Sequence, residues 1–289
     1  MIRRLAIIGV GLIGGSLARA LRAAGAVGEV VGSGRRAEHL QQAVDLGVID
    51  RFSTDPAAAV TGADLIVVAV PLGAMGEVFR AIVPHLAADA VVTDVGSAKA
   101  AVVTALREAL GEVPDWFVPG HPIAGTERSG VAASFAELFQ GRRVILTPLA
   151  HTDPQAVARV RAMWQHAGAE VVEMGVELHD EVLAATSHLP HVLAFALVDS
   201  LARMHEHNEI FTYAAGGFRD FTRIASSDPV MWRDICLANR AALLDMIERF
   251  NRDLGEMTRA IEDGDGDALL EIFSRAKQAR DEHVLRGEE

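Results

Sequence analysis

Six residues near the N-terminus, Gly9-Val10-Gly11-Leu12-Ile13-Gly14, constrain the fold of this chain more than any other stretch. They follow an apolar run at 4–8 and open an alanine- and leucine-rich segment at 16–24. A GxGxxG between a strand and a helix gives a tight turn at the first glycine. The second lets backbone approach a pyrophosphate, and the third lets helix and strand pack closely. The helix start adds free N–H groups and a positive dipole end. Gly9, Gly11, Leu12, Ile13 and Gly14 are therefore candidate contacts to a dinucleotide.

The following residues repeat the same alternation. Runs at 29–32, 65–69, 91–94, 116–120, 143–146 and 170–173 read as strands, mostly continuous apolar ones suited to a parallel sheet covered on both faces. Segments at 37–46 and 75–86 read as helices between them. The class expected is α/β, a Rossmann-type doubly wound parallel sheet. Near Gly175 the pattern changes. No convincing strand follows, and helical stretches at 191–204, 229–254 and 268–284 are punctuated by Pro190 and by Gly216-Gly217. In the long stretch Trp232, Ile235, Leu237, Leu243, Leu244, Ile247 and Phe250 recur at near-helical spacing, as in a core or oligomer-interface helix. The expected domains are 1–175, nucleotide-binding, and 176–289, all-helical.

Composition narrows the partners. The formal net charge of −12 argues against general nucleic-acid or anionic-membrane binding, both of which need a positive surface. It leaves room for an anionic small substrate held by a few local arginines. The single cysteine, Cys236, allows no intrachain disulfide and reads as a small core residue. The start MIRRLAIIGVGLIGG imitates a signal peptide, but its glycines fall at nucleotide-loop spacing and no clean cleavage site follows. No stretch reads as a run of about 20 apolar residues. A cytoplasmic location is expected.

The choice of cofactor turns on the end of the second strand. An NAD site usually carries a carboxylate about 20 residues beyond the glycines, holding the ribose hydroxyls. Here that position is Gly34, flanked by Ser33, Arg35 and Arg36, groups that suit a 2′-phosphate. Solvated arginines opening a helix would read the same way. The missing carboxylate and the added positive charge together favour NADP, with NAD possible. Val70 and Pro71, ending the next strand, sit where a turn passes over a cofactor, although a simple strand terminator would look alike.

Three polar clusters carry the remaining chemistry: 93–99 (TDVGSAK), 119–130 (PGHPIAGTERSG), and the pair 187–191 (SHLPH) and 216–223 (GGFRDFTR). His121 follows a strand, locked between Gly120 and Pro122. A neutral imidazole beside a nicotinamide can take the proton of a hydroxyl whose carbon gives up hydride. An arginine in the same pocket would clamp a carboxylate.

Taken in order from Gly9 to Trp232, GxGLIGGS, DVGSAK, HPIAGTERSG, SHLPH and GGFRDFTRIASSDPxxW resemble the prephenate/arogenate (cyclohexadienyl) dehydrogenase family of tyrosine biosynthesis. The resemblance implies a Rossmann-type domain followed by a helical domain that forms a homodimer, and oxidative decarboxylation of a small dianionic substrate. It implies His121 as the acceptor of the C4 hydroxyl proton, and Ser97 as a group that hydrogen-bonds that hydroxyl and helps orient His121. Arg223 would bind a substrate carboxylate. His191 and Trp232 would line or gate the pocket. Glu127, beside Thr126, would sit at the pocket edge in an ionic contact, and Gly216 would let backbone approach the substrate.

Blander readings stand beside these. His188 and His191, like His205-Glu206-His207, have metal-like spacing but no clear further ligands, so no metal is expected. Lys99 suits an approach to cofactor or substrate, and equally a helix cap or a partner for a surface acid. Arg219 and Asp220 suit an ion pair orienting the Arg223 loop. A β-hydroxyacid dehydrogenase or imine reductase shares the layout but leaves HPIAGTE without a role. A dinucleotide-sensing regulator would need no His121–Ser97–Arg223 constellation.

Overall fold

The computed structural model describes residues 1–204 and 211–283. Its larger sheet contains β1 (Ile2–Ile8), β2 (Val27–Ser33), β3 (Arg51–Ser53), β4 (Leu65–Val68), β5 (Val91–Asp94) and β6 (Phe117–Val118). All pairs are parallel, in the order β3-β2-β1-β4-β5-β6. The expected doubly wound parallel sheet is therefore present. Strand order reverses between β1 and β4, and a sheet of this kind binds ligands in the crevice outside that point.

The helices α1 (Leu12–Ala23), α2 (Ala37–Asp45), α3 (Pro56–Val60), α4 (Met75–Ile82) and α5 (Lys99–Leu110) cover its two faces. Strand side chains alternate between two cores. Leu5, Ile7, Leu65 and Val67 pack with Leu17, Leu21 and Trp164, whereas Ala6, Ile8, Ile66 and Val68 pack with Met75, Phe79 and Leu106. Each fully buried large aliphatic residue is worth roughly 1.5–3 kcal/mol, so both faces hold the sheet strongly.

The run at 116–120, expected as one strand, is two. Pro119 has no N–H to give a ladder, and the chain leaves the parallel sheet there. β7 (Gly120–Pro122) pairs antiparallel with β8 (Arg143–Leu146), which pairs parallel with β9 (Glu170–Glu173). These strands form a second, three-stranded sheet, so the sequence-expected strands at 143–146 and 170–173 do not extend the first. The crossover helix α6 (Pro154–His166) starts at Asp153, whose Oδ1 accepts the Gln155 N–H at 3.0 Å. The short edge strand β3 carries too little apolar pattern to be read from sequence.

Beyond Gly175 the described residues are helical. α7 (Val176–Leu183) runs through a π-helical turn, Ala184–His188, into α8 (Leu189–Ala202). Pro190 falls in the first turn of α8 and does not break the run. The continuous helical stretch Val176–Ala202 is 27 residues long and contains an 18-residue window of mean hydropathy 1.4, so by length and composition alone it could span a bilayer. This corrects the expectation that no stretch reaches that length. The run interleaves His179, Asp180, His188 and His191 with its apolar residues, so it does not read as an uninterrupted apolar segment.

Then come α9 (Gly216–Thr222), α10 (Pro229–Ala238), α11 (Arg240–Asp263) and α12 (Gly266–His283). The single helix expected at 229–254 is broken at Asn239, whose φ of −103° and ψ of 35° leave the helical region. Asn239 is buried and hydrogen-bonded, which offsets the lost helical continuity. His205-Glu206-His207 lies outside the described residues.

Met1–Arg240 form one compact unit and Ala241–Glu289 a second. Within the second, Gly264 at φ 65° closes α11, and the Asp265 carboxylate accepts the Ala268 N–H at 2.9 Å to open α12. Leu270 and Phe273, three apart on one helix face, are 65% and 55% exposed, a pairing more typical of an interface than of a solvated surface.

Candidate active site

At the carboxyl ends of β1 and β4 the backbone is drawn together. A Cβ on Gly9 would come 2.3 Å from the Ala69 carbonyl oxygen, and Gly9 holds φ at 103°, so only glycine serves there. A Cβ on Gly14 would lie 2.5 Å from the Gly9 oxygen, so this third glycine lets α1 start tight against the turn. Gly11 has no neighbour within 4 Å of a would-be Cβ and caps α1 without any side-chain hydrogen bond. The first N–H groups of α1, at Leu12 and Ile13, thus lack a side-chain cap beside open space, which fits a bound pyrophosphate.

The flanking residues separate. Ser33 is buried as the last residue of β2, and its carbonyl accepts the Gly9 N–H at 2.8 Å. Arg35 and Arg36 are exposed at the start of α2 and form no ion pair among the described residues. Val70 is half-buried, and Pro71 opens a short 3-10 turn, Leu72–Ala74.

His121 sits on β7 immediately beyond the sheet switch. Its Nδ1 lies 2.9 Å from Nε2 of His179 on α7, and His179 Nδ1 lies 2.7 Å from Oδ1 of Asp180. A carboxylate only accepts, so His179 presents its Nδ1–H to Asp180. With both rings neutral, His179 Nε2 accepts the His121 Nδ1–H. The Nε2 of His121 then carries a free lone pair, the arrangement a base requires. Asp180 also accepts the Lys99 N–H at 2.8 Å and the Ala100 N–H at 2.9 Å, so the N-terminus of α5 fixes it.

Lys99 is fully buried, against the surface-acid pairing that was one of the roles read from the sequence. Its Nζ pairs with Asp94 and donates to the Gly120 carbonyl at 2.6 Å, while Asp94 Oδ1 accepts the Gly120 N–H at 3.1 Å. The Gly120 peptide is therefore gripped at both ends, one residue before His121.

On the helical side His191 stacks on Trp232 at 3.6 Å between ring centroids, and its Nδ1–H donates to the Ser187 carbonyl at 2.9 Å. Asn239 Nδ2 donates to the Asp180 carbonyl at 2.7 Å and to His188 Nδ1 at 3.0 Å, which leaves His188 its proton on Nε2. Arg223 Nη1 lies 3.5 Å from Glu127 Oε2, an exposed ion pair between the HPIAGTE loop and the end of α9. Thr126 Oγ1 accepts the Arg128 N–H at 3.2 Å, and Gly216 opens α9. Ser97 is half-buried after β5 and makes no hydrogen bond to His121 among the described residues; His179 orients that ring instead. Arg219 and Asp220 form no ion pair among the described residues. His179, Asp180, Asp94 and Asn239 were not read from sequence as active-site supports. The adjacent His179-Asp180 pair within the otherwise apolar α7 was the available signal.

Burial governs the charges. It pushes the His121 pKa well below 6.5, with His179, Lys99 and His188 adding positive neighbours, so the ring is neutral near pH 7. Burial likewise lowers His188 to about 4 and lowers His191. For Asp180 burial works against the charge, but hydrogen bonds from His179, Ala100 and Lys99 outweigh it and hold the carboxyl below its ordinary value. No group of three potential metal ligands occurs among the described residues.

A glycine turn at the switch point of a parallel sheet, together with a neutral, carboxylate-anchored imidazole on the strand that follows that sheet, fits a nicotinamide-dependent oxidoreductase. Comparison makes the class particular. Residues 17–173 match the family model described as prephenate dehydrogenase, nucleotide-binding domain, and residues 176–275 match prephenate dehydrogenase, dimerization domain. The cyclohexadienyl dehydrogenase of Zymomonas mobilis is 43% identical over 283 residues, covering 96% of this chain and 95% of that protein. The prephenate dehydrogenase of Bacillus subtilis is 37% identical over 286 residues, covering 96% and 75%. The crystal structure of A. aeolicus prephenate dehydrogenase with hydroxyphenyl propionate and NAD+ aligns with a TM-score of 0.90 at 40% identity, covering 98% of both chains. The chain belongs to the prephenate dehydrogenase family.

Proposed function

We propose that this chain oxidatively decarboxylates prephenate, arogenate or both, giving 4-hydroxyphenylpyruvate or tyrosine, CO2 and reduced cofactor, in tyrosine biosynthesis. The observation that carries the reading is the line His121–His179–Asp180, which delivers a neutral base to the carboxyl edge of the sheet. The dinucleotide, held at Gly9–Gly14, supplies the hydride acceptor. His121 Nε2 accepts the C4 hydroxyl proton as hydride leaves C4, and His179 steadies the resulting imidazolium against Asp180. The C1–carboxylate bond breaks with loss of CO2, its electrons enter the ring, and the C4 oxygen takes the proton back from His121 as the phenol; the product is aromatic, which drives the step forward.

Arg223 binds a carboxylate of the substrate and Glu127 holds it in reach; Ser97 and Thr126 serve the hydroxyl and the pocket edge. His191 and Trp232 form a stacked wall, and Gly216 admits substrate against backbone. The buried His188 Nε2 and Trp232 Nε1 have no hydrogen-bond partner within the described protein, and substrate oxygens would satisfy them. The wall and Arg223 come from beyond residue 175, so we place the cofactor half at 1–175 and the substrate half at 176–289.

NADP is the preferred cofactor on this reading, NAD the second. Gly34 offers no carboxylate to repel a 2′-phosphate, and Arg35 and Arg36 stand exposed beside it. The A. aeolicus relative was crystallised with NAD+, so the two exposed arginines carry the distinction. We assign the working form as a cytoplasmic homodimer through the helical part, supported by the matched dimerization domain and by exposed Leu270 and Phe273. Purified protein given prephenate or arogenate with NADP or NAD should release CO2 and reduce the cofactor in equal amounts. No turnover with any of the four pairs overturns the assignment.

A further inference from the structure

The glycine turn explains Gly9, Gly11 and Gly14, but not the Gly15-Ser16 that follows. Those two residues meet the far end of the loop that starts at His121. A Cβ on Gly15 would lie 3.0 Å from both Cβ and Oγ of Ser134, and 3.3 Å from Val131 Cγ2. Ser16, fully buried, accepts the Phe135 N–H at 3.1 Å. Arg19 Nε donates to Ser134 Oγ at 2.9 Å, and that hydroxyl donates to the Val131 carbonyl at 2.6 Å. One face of α1 is thus keyed to 131–135.

The intervening residues, 125–130, are all exposed, and they carry Thr126 and Glu127. Their N-terminal end is pinned to the second sheet, where Ile123 N–H reaches the Arg143 carbonyl at 2.8 Å. Their C-terminal end has the α1 contact. From Glu127 the chain of contacts continues to Arg223 at 3.5 Å. A connected route therefore joins the helix whose N-terminus faces the cofactor phosphates to the arginine that binds substrate.

We infer that Gly15, Ser16, Arg19 and Ser134 form a positioning clasp that couples cofactor binding at α1 to substrate binding at Arg223 through the Thr126–Glu127 loop. None of the four touches a reacting atom. Fixing α1 against the cofactor limits where 131–135 can lie, and so where Glu127 can hold Arg223. Coupling of this kind is reciprocal: each ligand tightens the other by the same factor. The inference rests on the proposed dehydrogenase reading, because it needs both ligands to bind.

The test is calorimetric titration of the whole protein with NADP and with 4-hydroxyphenylpyruvate, each alone and each with the other saturating. Wild type should show mutual tightening of about fivefold or more. Gly15→Ala pushes Ser134 away by a few tenths of an ångström, and its factor should fall to within about twofold of one. Gly15→Ala/Ser134→Gly removes both 3.0 Å neighbours and should recover the factor partway, to the level of Ser134→Ala, because both variants lack the hydroxyl. Ser134→Ala, which keeps the backbone but strips the hydroxyl from Arg19 and Val131, should lower it partway and serves if Gly15→Ala does not fold. A lower melting temperature with unchanged coupling in these variants would make the clasp merely structural and overturn the inference. Wild type that binds both ligands independently overturns it alone; wild type that binds neither overturns the enzyme reading with it.

Discussion

His179 stands between His121 and Asp180, 2.9 Å from one ring nitrogen and 2.7 Å from the carboxylate. The carboxylate therefore acts on the base at one remove, setting which nitrogen of each ring carries the proton. His179→Leu should leave the His121 Nδ1–H without its partner and free the ring to turn or change tautomer. We expect kcat to fall by about 10²-fold or more, with the cofactor KM nearly unchanged. A variant retaining wild-type kcat would show that the second ring is packing alone.

The pH dependence follows from burial. Because the His121 pKa lies well below 6.5, the basic form persists as the medium is acidified, and kcat should not decline as pH passes downward through 6.5. Stability should behave differently. His188 titrates near 6.5 unfolded and near 4 folded, so the unfolded state takes up the proton first. Its contribution is fully present above pH 6.5 and is lost as pH falls from 6.5 to about 4. That window is worth roughly 3 kcal/mol. Urea unfolding across pH 7 to 4 should give a shallower slope in His188→Gln than in wild type; identical slopes would assign the acid sensitivity elsewhere.

Arg223 should divide binding from chemistry. Arg223→Gln removes a charge-assisted contact to a carboxylate, worth about 1.5–3 kcal/mol, so the substrate KM should rise roughly 10- to 100-fold. Steady-state kinetics with prephenate check it. An unchanged KM would move carboxylate recognition to another cation.

For the cofactor, Arg35→Ala should raise the NADP KM more than the NAD KM, because only NADP carries the extra phosphate. Equal effects on the two would make Arg35 a solvated bystander.

The Lys99–Asp94 pair makes a prediction about the fold. Both side chains are fully buried, and Lys99→Met leaves Asp94 with an uncompensated charge in the core. Denaturant unfolding should show a loss of about 3–5 kcal/mol. Lys99→Met/Asp94→Asn should recover part of that loss while still disturbing catalysis, since the Gly120 carbonyl loses its donor. Full activity in the double variant would deny the pair any part in placing His121.

The parallel sheet was legible because its strands are buried on both sides and read as unbroken apolar runs. The glycines of the first turn were legible because close backbone approach tolerates nothing else. The failures are equally physical. The break at Pro119 was hidden inside a continuous apolar run, and the break at Asn239 inside a helical period, since neither interrupts the pattern of side chains that sequence reading follows. His121 and Arg223 are proposed from their motifs. Lys99 could not be placed, because whether a lysine is solvated or walled in depends on Asp94 and Gly120, which only the folded chain brings to it. Asp180 likewise draws its partners from 80 residues away in sequence, at Lys99 and Ala100.

The sheet change at Pro119 also bears on how this centre can vary. His121 lies one residue past the first residue of β7, and successive strand residues face opposite ways. Adding or deleting a single residue between Val118 and His121 would turn the imidazole to the other face, even with every strand of both sheets still paired. Loops elsewhere in the chain can change length without touching the chemistry. At this junction the spacing is counted in single residues, so a homologue could keep the whole architecture and still lose its base to one inserted codon.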